Sequence, residues 1–244
     1  MSAARPPAGA RTAGEAEATP VRSAPDHGFL RAEICRVGRS LFERGLVHGS
    51  AGNISVRLPD GAGFLITPTD ACLGFLAPER LALVDANGQQ RAGDRASKTL
   101  ALHRRIYAAA PEAGCVLHTH SHHLVSLSLR GVWRTDDIVP PITPYQVMKL
   151  GHVPLVPYLR PGAPAVGERV AALIAEHAAR GQRLQAVLCE RLGPQVWQAD
   201  PAGAMAVLEE LEETARLWLA SGCTAAPLAP AAIEELRRDF GAPW

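Results

Sequence analysis

The sequence lacks a charge imbalance and a long apolar run. Its 244 residues carry 25 Lys and Arg against 24 Asp and Glu, a net charge of +1, which provides no overall field for holding nucleic acid or an anionic membrane. No stretch approaches the roughly 20 apolar residues of a membrane-spanning helix, and the amino-terminus lacks the basic-then-apolar order of a secretory signal. We therefore expect a cytoplasmic protein that binds neither nucleic acid nor a membrane.

Cysteine is also sparse, and the rest of the composition favours one folded domain. The five cysteines are odd in number and widely spaced, which fits buried thiols better than a disulfide framework or a cysteine-based zinc site. Residues 1–27 have no apolar periodicity, so we expect a disordered tail there. Residues 28–244 are expected to form a single domain, because 47% of the chain is apolar and can fill one core.

Apolar periodicity and turn residues divide residues 28–244 into helices and strands. A helix-spaced repeat runs from Leu30 to Leu41, Pro59-Asp60-Gly61 separates an antiparallel pair, and Ser97 precedes an Ala- and Leu-rich helix as its N-cap. Further strands are expected at 81–84, 115–120, 186–192 and 195–198, and further helices at 121–129, 166–179, 201–220 and 231–240. This order predicts an α/β fold with a mixed or antiparallel sheet covered by helices.

Four histidines stand within six residues at the end of an apolar strand: His118, His120, His122 and His123. Because side chains alternate along a strand, His118 and His120 point to the same side, where their imidazoles can share one cation. Neutral imidazole is a natural ligand of zinc or iron(II). The alternative is a polar strand end with solvated histidines, and the spacing leaves both open.

Three polar clusters have the chemistry to bind a small anion. Gly52-Asn53 and Thr69-Asp70 lie in expected loops. Glycine lets the backbone of such a loop approach a ligand closely, and the neutral side chains can donate hydrogen bonds to it. Ser97-Lys98 stands at a helix start whose free N–H groups and ammonium can meet a phosphate or a carboxylate. Ordinary turn and cap chemistry explains the same residues.

Taken in order, these motifs resemble those of the class II aldolase/adducin family, over about residues 29–240. The resemblance rests on Gly52-Asn53-Ile54-Ser55, Ile66-Thr67-Pro68-Thr69, Ser97-Lys98 followed by His103, Val116-Leu117-His118-Thr119-His120-Ser121 and Glu209-Glu210-Leu211-Glu212-Glu213-Thr214-Ala215. Within the family, segments 140–145, 154–158 and 160–162 are most similar to the branch that decarboxylates 3-oxo-tetronate 4-phosphates.

The resemblance implies a three-layer α/β/α fold, a homotetramer with active sites between subunits, and a bound divalent metal, usually zinc. Family members hold the metal with three histidines, of which the two in the His-x-His strand match His118 and His120. The positions that match the family's phosphate site are Gly52, Asn53, Thr69, Ser97 and Lys98.

Three positions depart from the family pattern. Thr99 stands where the family has its acid/base glutamate, and a hydroxyl does not ionise near neutral pH. Leu192 replaces the third metal histidine and cannot ligate a metal. Asp70 replaces the glycine of the phosphate loop, where a carboxylate repels an anion. We therefore expect a substrate that is not phosphorylated.

With Leu192 at the family position, another side chain has to supply the third metal ligand. The candidates are His122, His123, His152, Glu190 and Asp70. We favour His152, which lies in an extended segment where the resembling branch commonly has a basic residue, so the predicted metal set is His118, His120 and His152. A carboxylate in its place would form a two-histidine, one-carboxylate face suited to iron(II), and manganese is a further option.

Three functions fit these residues. The first is a diverged metal-dependent lyase, of decarboxylase or aldolase type, that acts on a small oxo-acid or hydroxy-ketone. In it Lys98 binds a substrate carboxylate, Tyr145 donates a proton, and Thr99 occupies the glutamate position. The second is a non-catalytic paralogue that serves as a binding or scaffold module, and the third is an iron(II) oxygenase on the same fold. His103 is expected at the surface or as a cap rather than as a ligand.

Overall fold

The structure is a computed structural model that describes residues 27–59 and 61–244. The predicted tail, residues 1–27, lies outside the described residues except for His27. Within the described ranges, no helix has the length and apolar character needed to cross a bilayer.

The described residues form seven α-helices and eight strands. The helices are α1 (His27–Glu43), α2 (Leu100–Ala109), α3 (His122–Arg130), α4 (Pro144–Lys149), α5 (Pro164–Ala178), α6 (Pro201–Ala220) and α7 (Pro230–Phe240). The strands are β1 (Asn53–Arg57), β2 (Gly63–Ile66), β3 (Ala82–Asp85), β4 (Gln90–Ala92), β5 (Cys115–His118), β6 (Leu155–Val156), β7 (Ala186–Cys189) and β8 (Gly193–Gln198).

All eight strands join one mixed sheet in the order β4-β3-β2-β1-β5-β8-β7-β6. Every neighbouring pair is antiparallel except β6 and β7, which are parallel. Consecutive strands β1 to β4 form a meander, whereas β5 and β8 are separated by 74 residues of chain and still pair along four positions. The predicted α/β class and mixed sheet are confirmed.

Helices cover both faces of the sheet, which gives the three layers. Cys115 and Leu117 of β5 pack in a core with α1, α3 and α6, while Val116 between them packs with α2 and α5. This alternation follows from the two-residue period of a strand. By the same period, His118 faces the α2 and α5 side of the sheet.

Two boundaries differ from the sequence expectation. Helix α2 begins at Leu100 rather than directly after Ser97, whose hydroxyl instead contacts the Thr99 hydroxyl at 2.9 Å. Gly193-Pro194, expected to separate two strands, forms the start of β8. Proline is tolerated there because Pro194 pairs with β7 only, and β5 begins to pair at Gln195.

The start of α3, directly after the His-x-His segment, is capped by a side chain from α6. Glu212 is buried, and its carboxylate accepts hydrogen bonds from the His123 N–H at 2.8 Å and the Leu124 N–H at 3.1 Å. It also contacts the Nδ1 of His123 at 2.9 Å. The first N–H groups of a helix have no partner within the helix, and this carboxylate accepts hydrogen bonds from two of them. Its negative charge is also attracted to the positive end of the helix dipole.

We predict that Glu212→Ala lowers the free energy of unfolding by about 3 kcal/mol, because one buried and one half-buried N–H group lose their acceptor. Urea unfolding measures the change. Glu213→Ala is the matched control on the same helix: its carboxylate is exposed and paired with Arg216, so the loss should stay below about 1 kcal/mol. Equal effects of the two substitutions would show that Glu212 is not a structural cap.

Candidate active site

A cavity of about 480 Å³ opens where the start of β1 and the ends of β2 and β5 meet the first turns of α2 and α5. The sheet order brings these segments together although they are far apart in the chain. The predicted site residues that line it are Gly52, Asn53, Thr69, Asp70, Ser97, Lys98, Thr99, His118 and His120. Leu192, at the family's third histidine position, lines the same cavity.

Two glycines permit the close backbone packing behind the histidines. Gly52 has φ of 82°, and a Cβ there would lie 2.8 Å from the carbonyl oxygen of His118. Gly193 has φ of 113°, and a Cβ there would lie 2.1 Å from the carbonyl oxygen of Thr119. Only glycine can adopt these positive φ angles and also pack this closely against a neighbouring carbonyl oxygen. The backbones at the start of β1 and β8 therefore pack against the His-x-His segment from both sides.

His118 and His120 face each other, with ring centroids 5.0 Å apart. The Nδ1 of His118 lies 2.8 Å from the carbonyl oxygen of Pro194. That oxygen can only accept, so Nδ1 carries the proton and Nε2 keeps its lone pair for a cation. Burial, and then the nearby His120, lower the pKa of His118 to about 4. Burial, and then His48, also lower the pKa of His120, so both rings favour the neutral form that binds metals.

The pair fits a divalent ion as two of its ligands. Two imidazoles bound to a tetrahedral ion at about 2.0–2.1 Å place their ring centroids about 5 Å apart, which is the separation observed here. The family's third position does not fit, because Leu192 has no ligating atom. Across residues 27–59 and 61–244, no three side chains from His, Cys, Asp and Glu are grouped closely enough to hold a metal ion.

His118 stands in the middle of a row of three polar side chains. It pairs with Asn53 of β1 on one side and with Gln195 of β8 on the other, and all three line the cavity. The side-chain oxygens of Asn53 and Gln195 are buried and have no hydrogen-bond partner in the described part of the chain. Burying an acceptor without a hydrogen-bond partner costs free energy. The row is therefore suited to accept hydrogen bonds from a ligand or to contact a bound cation.

The anion-binding side of the cavity lies at the start of α2. Ser97 and Lys98 precede the helix, where the free N–H groups of the first turn and the exposed ammonium favour a negative charge. Thr99 lines the cavity between them and the helix, with its hydroxyl 2.9 Å from that of Ser97. It offers a hydrogen bond but no proton acceptor comparable to a glutamate.

The structure does not bring His152 or Tyr145 to this cavity. His152 precedes β6, at the far edge of the sheet, and its Nδ1 lies 3.0 Å from both carboxylate oxygens of Asp137. Its ring packs against Trp244 at 4.7 Å. Tyr145, on α4, is 57% exposed and contacts Lys149. The predicted metal set His118, His120 and His152 is therefore wrong within one chain. The sequence could not reveal this, because the position of β6 in the sheet has no local signal.

The other proposed replacement ligands, apart from Asp70, do not line the cavity either. His123 contacts Glu212, and its neighbour His122 is exposed at the start of α3. Glu190 accepts a hydrogen bond from the N–H of Tyr158 at 2.9 Å and does not line the cavity. None of these three side chains lies with the histidine pair.

The order of the motifs matches one family throughout the core of the chain. Residues 32–219 match the profile of the class II aldolase and adducin N-terminal domain. The chain belongs to this family. The matched residues include the His-x-His pair, Thr99 and Leu192.

Relatives of the chain within this family include decarboxylases and aldolases. The chain is 54% identical, over 88% of its length and 97% of the relative, to the 3-oxo-tetronate 4-phosphate decarboxylase of Cupriavidus necator. It is 42% identical to the enzyme of the same name from Escherichia coli K12, over 77% of this chain and 85% of the relative.

Solved structures confirm the class II aldolase fold. YgbL from Klebsiella pneumoniae is 41% identical and superposes with a TM-score of 0.79, over 86% of this chain and 99% of that chain. L-fuculose-1-phosphate aldolase from Thermus thermophilus is 26% identical, with a TM-score of 0.66 over 82% of this chain and 98% of that chain.

A buried polar network behind the cavity was not foreseen. The Ser55 hydroxyl lies 2.7 Å from the Nδ1 of His103 and 2.8 Å from the hydroxyl of Tyr107, which also donates to the Ser55 carbonyl oxygen at 3.0 Å. His103 was expected at the surface, yet it is fully buried. Burial, and then the nearby His118, lower the pKa of His103 to about 3. The signal was Ser55 on the inward face of β1, opposite a helix-spaced His and Tyr.

We predict that protonation of His103 destabilises the fold as the pH falls below about 6.5. Because the folded pKa is about 3, the folded state binds fewer protons than the unfolded chain throughout this window, and stability is lost progressively toward pH 3. This residue should account for a loss of about 2 kcal/mol between pH 7 and pH 5. Urea unfolding at both pH values measures it, and His103→Gln should reduce the loss by that amount. An unchanged loss in the variant would contradict a neutral buried imidazole.

Proposed function

We propose that the chain is a metal-dependent decarboxylase of a phosphorylated 3-oxo acid, of the 3-oxo-tetronate 4-phosphate class. The observation that carries the proposal is a single cavity that combines a neutral imidazole pair with the amino-terminus of α2 and Lys98. The pair can hold a divalent cation, and the helix start attracts an anion. The 54% identity to the C. necator decarboxylase, over most of both chains, supports the same substrate class.

Asp70 led us to expect a substrate that is not phosphorylated. The relatives are named as decarboxylases of a phosphorylated substrate, which overturns that expectation. Asp70 has the left-handed backbone that favours glycine, with φ of 57°, a conformation that Asp adopts more readily than most residues. Its side chain is exposed, and two unit charges about 4 Å apart in water interact by only about 1 kcal/mol. A hydrated carboxylate at this position therefore weakens phosphate binding without preventing it.

The proposed chemistry follows from what each part of the cavity can do. His118 and His120 would hold the divalent ion, which when bound supplies Lewis-acid stabilisation of negative charge on a carbonyl oxygen. Lys98 and the N–H groups at the start of α2 would bind the substrate phosphate or carboxylate and orient the molecule. Asn53 and Gln195, with unpartnered oxygens on either side of His118, would accept hydrogen bonds from substrate hydroxyl groups.

Thr99 favours decarboxylation over aldol cleavage. When a 3-oxo acid loses carbon dioxide, the bonding electron pair moves toward the 3-oxo oxygen, and no prior proton abstraction is needed. Aldol cleavage begins with removal of a hydroxyl proton, for which a threonine hydroxyl is not a base. The glutamate position can therefore change without loss of the decarboxylation step.

We also propose a cytoplasmic homotetramer of single-domain subunits, residues 28–244, with active sites at the subunit interfaces. The family resemblance supports this arrangement. Phe75, Tyr145 and Tyr158 each expose more than half of their surface, at 74%, 57% and 52%, which association between subunits would bury. Tyr145 would then donate its proton in the cavity of a neighbouring subunit.

We predict that the purified protein, supplied with zinc, iron(II), manganese or cobalt, releases carbon dioxide from 3-oxo-tetronate 4-phosphate. A chelator should stop the release, and His118→Ala should lower kcat/KM by at least about 100-fold, beyond the usual effect of an outer-shell partner. His122→Ala, an exposed histidine outside the cavity, is the control and should keep the parental rate. No release with any of these ions would contradict the proposal and favour a non-catalytic paralogue.

A second variant separates phosphate binding from chemistry. Asp70→Asn keeps a side chain that tolerates the left-handed backbone but removes the charge, so KM for the phosphorylated substrate should fall several-fold with kcat unchanged. KM for the unphosphorylated analogue should not change. Preference of the parental protein for the unphosphorylated acid would refute the substrate assignment.

A further inference from the structure

A third imidazole lies beside the histidine pair, on the loop between α1 and β1. The ring centroids of His48 and His120 are 6.4 Å apart, and the two rings meet edge to face at 77°. Since His120 is 5.0 Å from His118, three imidazoles follow one another at the end of β5. The loop and the His-x-His segment meet because Gly52 packs its backbone directly on His118.

The separation of the His48 and His120 rings is close to the one that two ligands of a shared ion require. Two imidazoles on one tetrahedral ion have centroids about 5 Å apart, so the His48 ring has to approach His120 by little more than about 1 Å. The His48 side chain is exposed and makes no hydrogen bond or ion pair within residues 27–59 and 61–244. Rotation between side-chain rotamers can supply a displacement of this size without moving the backbone.

The other ligating groups near the cavity are less suitable. Cys189 lines the cavity, but burial raises the pKa of its thiol to about 12, which disfavours the thiolate that binds metals. Asp70 is exposed on the anion-binding side of the cavity. Gln195 offers an amide oxygen, a weaker donor to zinc than imidazole and better suited to magnesium or manganese.

We propose that His48 is the third protein ligand of the divalent ion, in place of the histidine that Leu192 replaces. The ligand has moved from the turn between β7 and β8 to the loop before β1, and the site keeps three imidazoles, a donor set that suits zinc. This inference rests on the metal dependence of the proposed function. It adds that His48, next to His120 on the loop before β1, holds the ion together with His118 and His120.

X-ray absorption at the zinc edge tests the ligand count, and competition with a chromophoric chelator tests the affinity. Zinc in the parental protein should show three imidazoles, and zinc in His48→Ala should show two. The dissociation constant of His48→Ala should rise by at least about 100-fold, more than loss of an outer-shell partner causes. Adding Leu192→His to His48→Ala should restore three imidazoles and tight binding, because it returns a ligand to the family position.

Three further variants distinguish the possible outcomes. His122→Ala controls for the loss of an exposed histidine and should bind zinc like the parental protein. His118→Ala should lose the ion, and if it does not, the metal site of the proposed function fails rather than the assignment of His48. Two imidazoles in the parental protein, with equal affinity in His48→Ala, would overturn the assignment. A loss of affinity in Gln195→Val but not in His48→Ala would overturn it in favour of the amide oxygen.

Discussion

The antiparallel register of β1, β5 and β8 is the constraint on which the rest of the site depends. It places Asn53, His118 and Gln195 in one row on the face covered by α2 and α5. Gly52 and Gly193 allow the flanking backbones to close on this row, and the Pro194 carbonyl fixes the proton of His118 on Nδ1. Backbone geometry thus leaves the lone pair of the His118 Nε2 free, which is the nitrogen that would bind the proposed ion.

The two losses relative to the family have different consequences. Thr99 removes a base, which aldol cleavage needs and decarboxylation does not, so this change is compatible with the proposed decarboxylation. Leu192 removes a ligand, which lowers affinity for the ion unless another donor is available. The low pKa values of His118 and His120, caused first by burial, preserve the neutral imidazoles on which any remaining affinity relies.

The sequence was sufficient for the features that depend on local pattern. The strand period placed His118 and His120 on one side, and the motif order identified the layers and the family. Features that depend on through-space packing were missed or wrong. His152 was assigned to the site because the sheet-edge position of β6 has no local signature, and the Ser55–His103–Tyr107 network joins a strand to a helix about 50 residues later. His48 and Gln195 had no motif to mark them, since only loop packing brings His48 beside His120 and only the strand register brings Gln195 beside His118.

Anomalous diffraction at the metal absorption edges, from crystals of protein purified without added metal, tests the central claim most directly. We expect one strong peak per subunit, at about 2.0–2.1 Å from the Nε2 of His118 and in contact with the His120 ring. Density no heavier than water at that position, after the crystals have been soaked in each candidate ion, would contradict it.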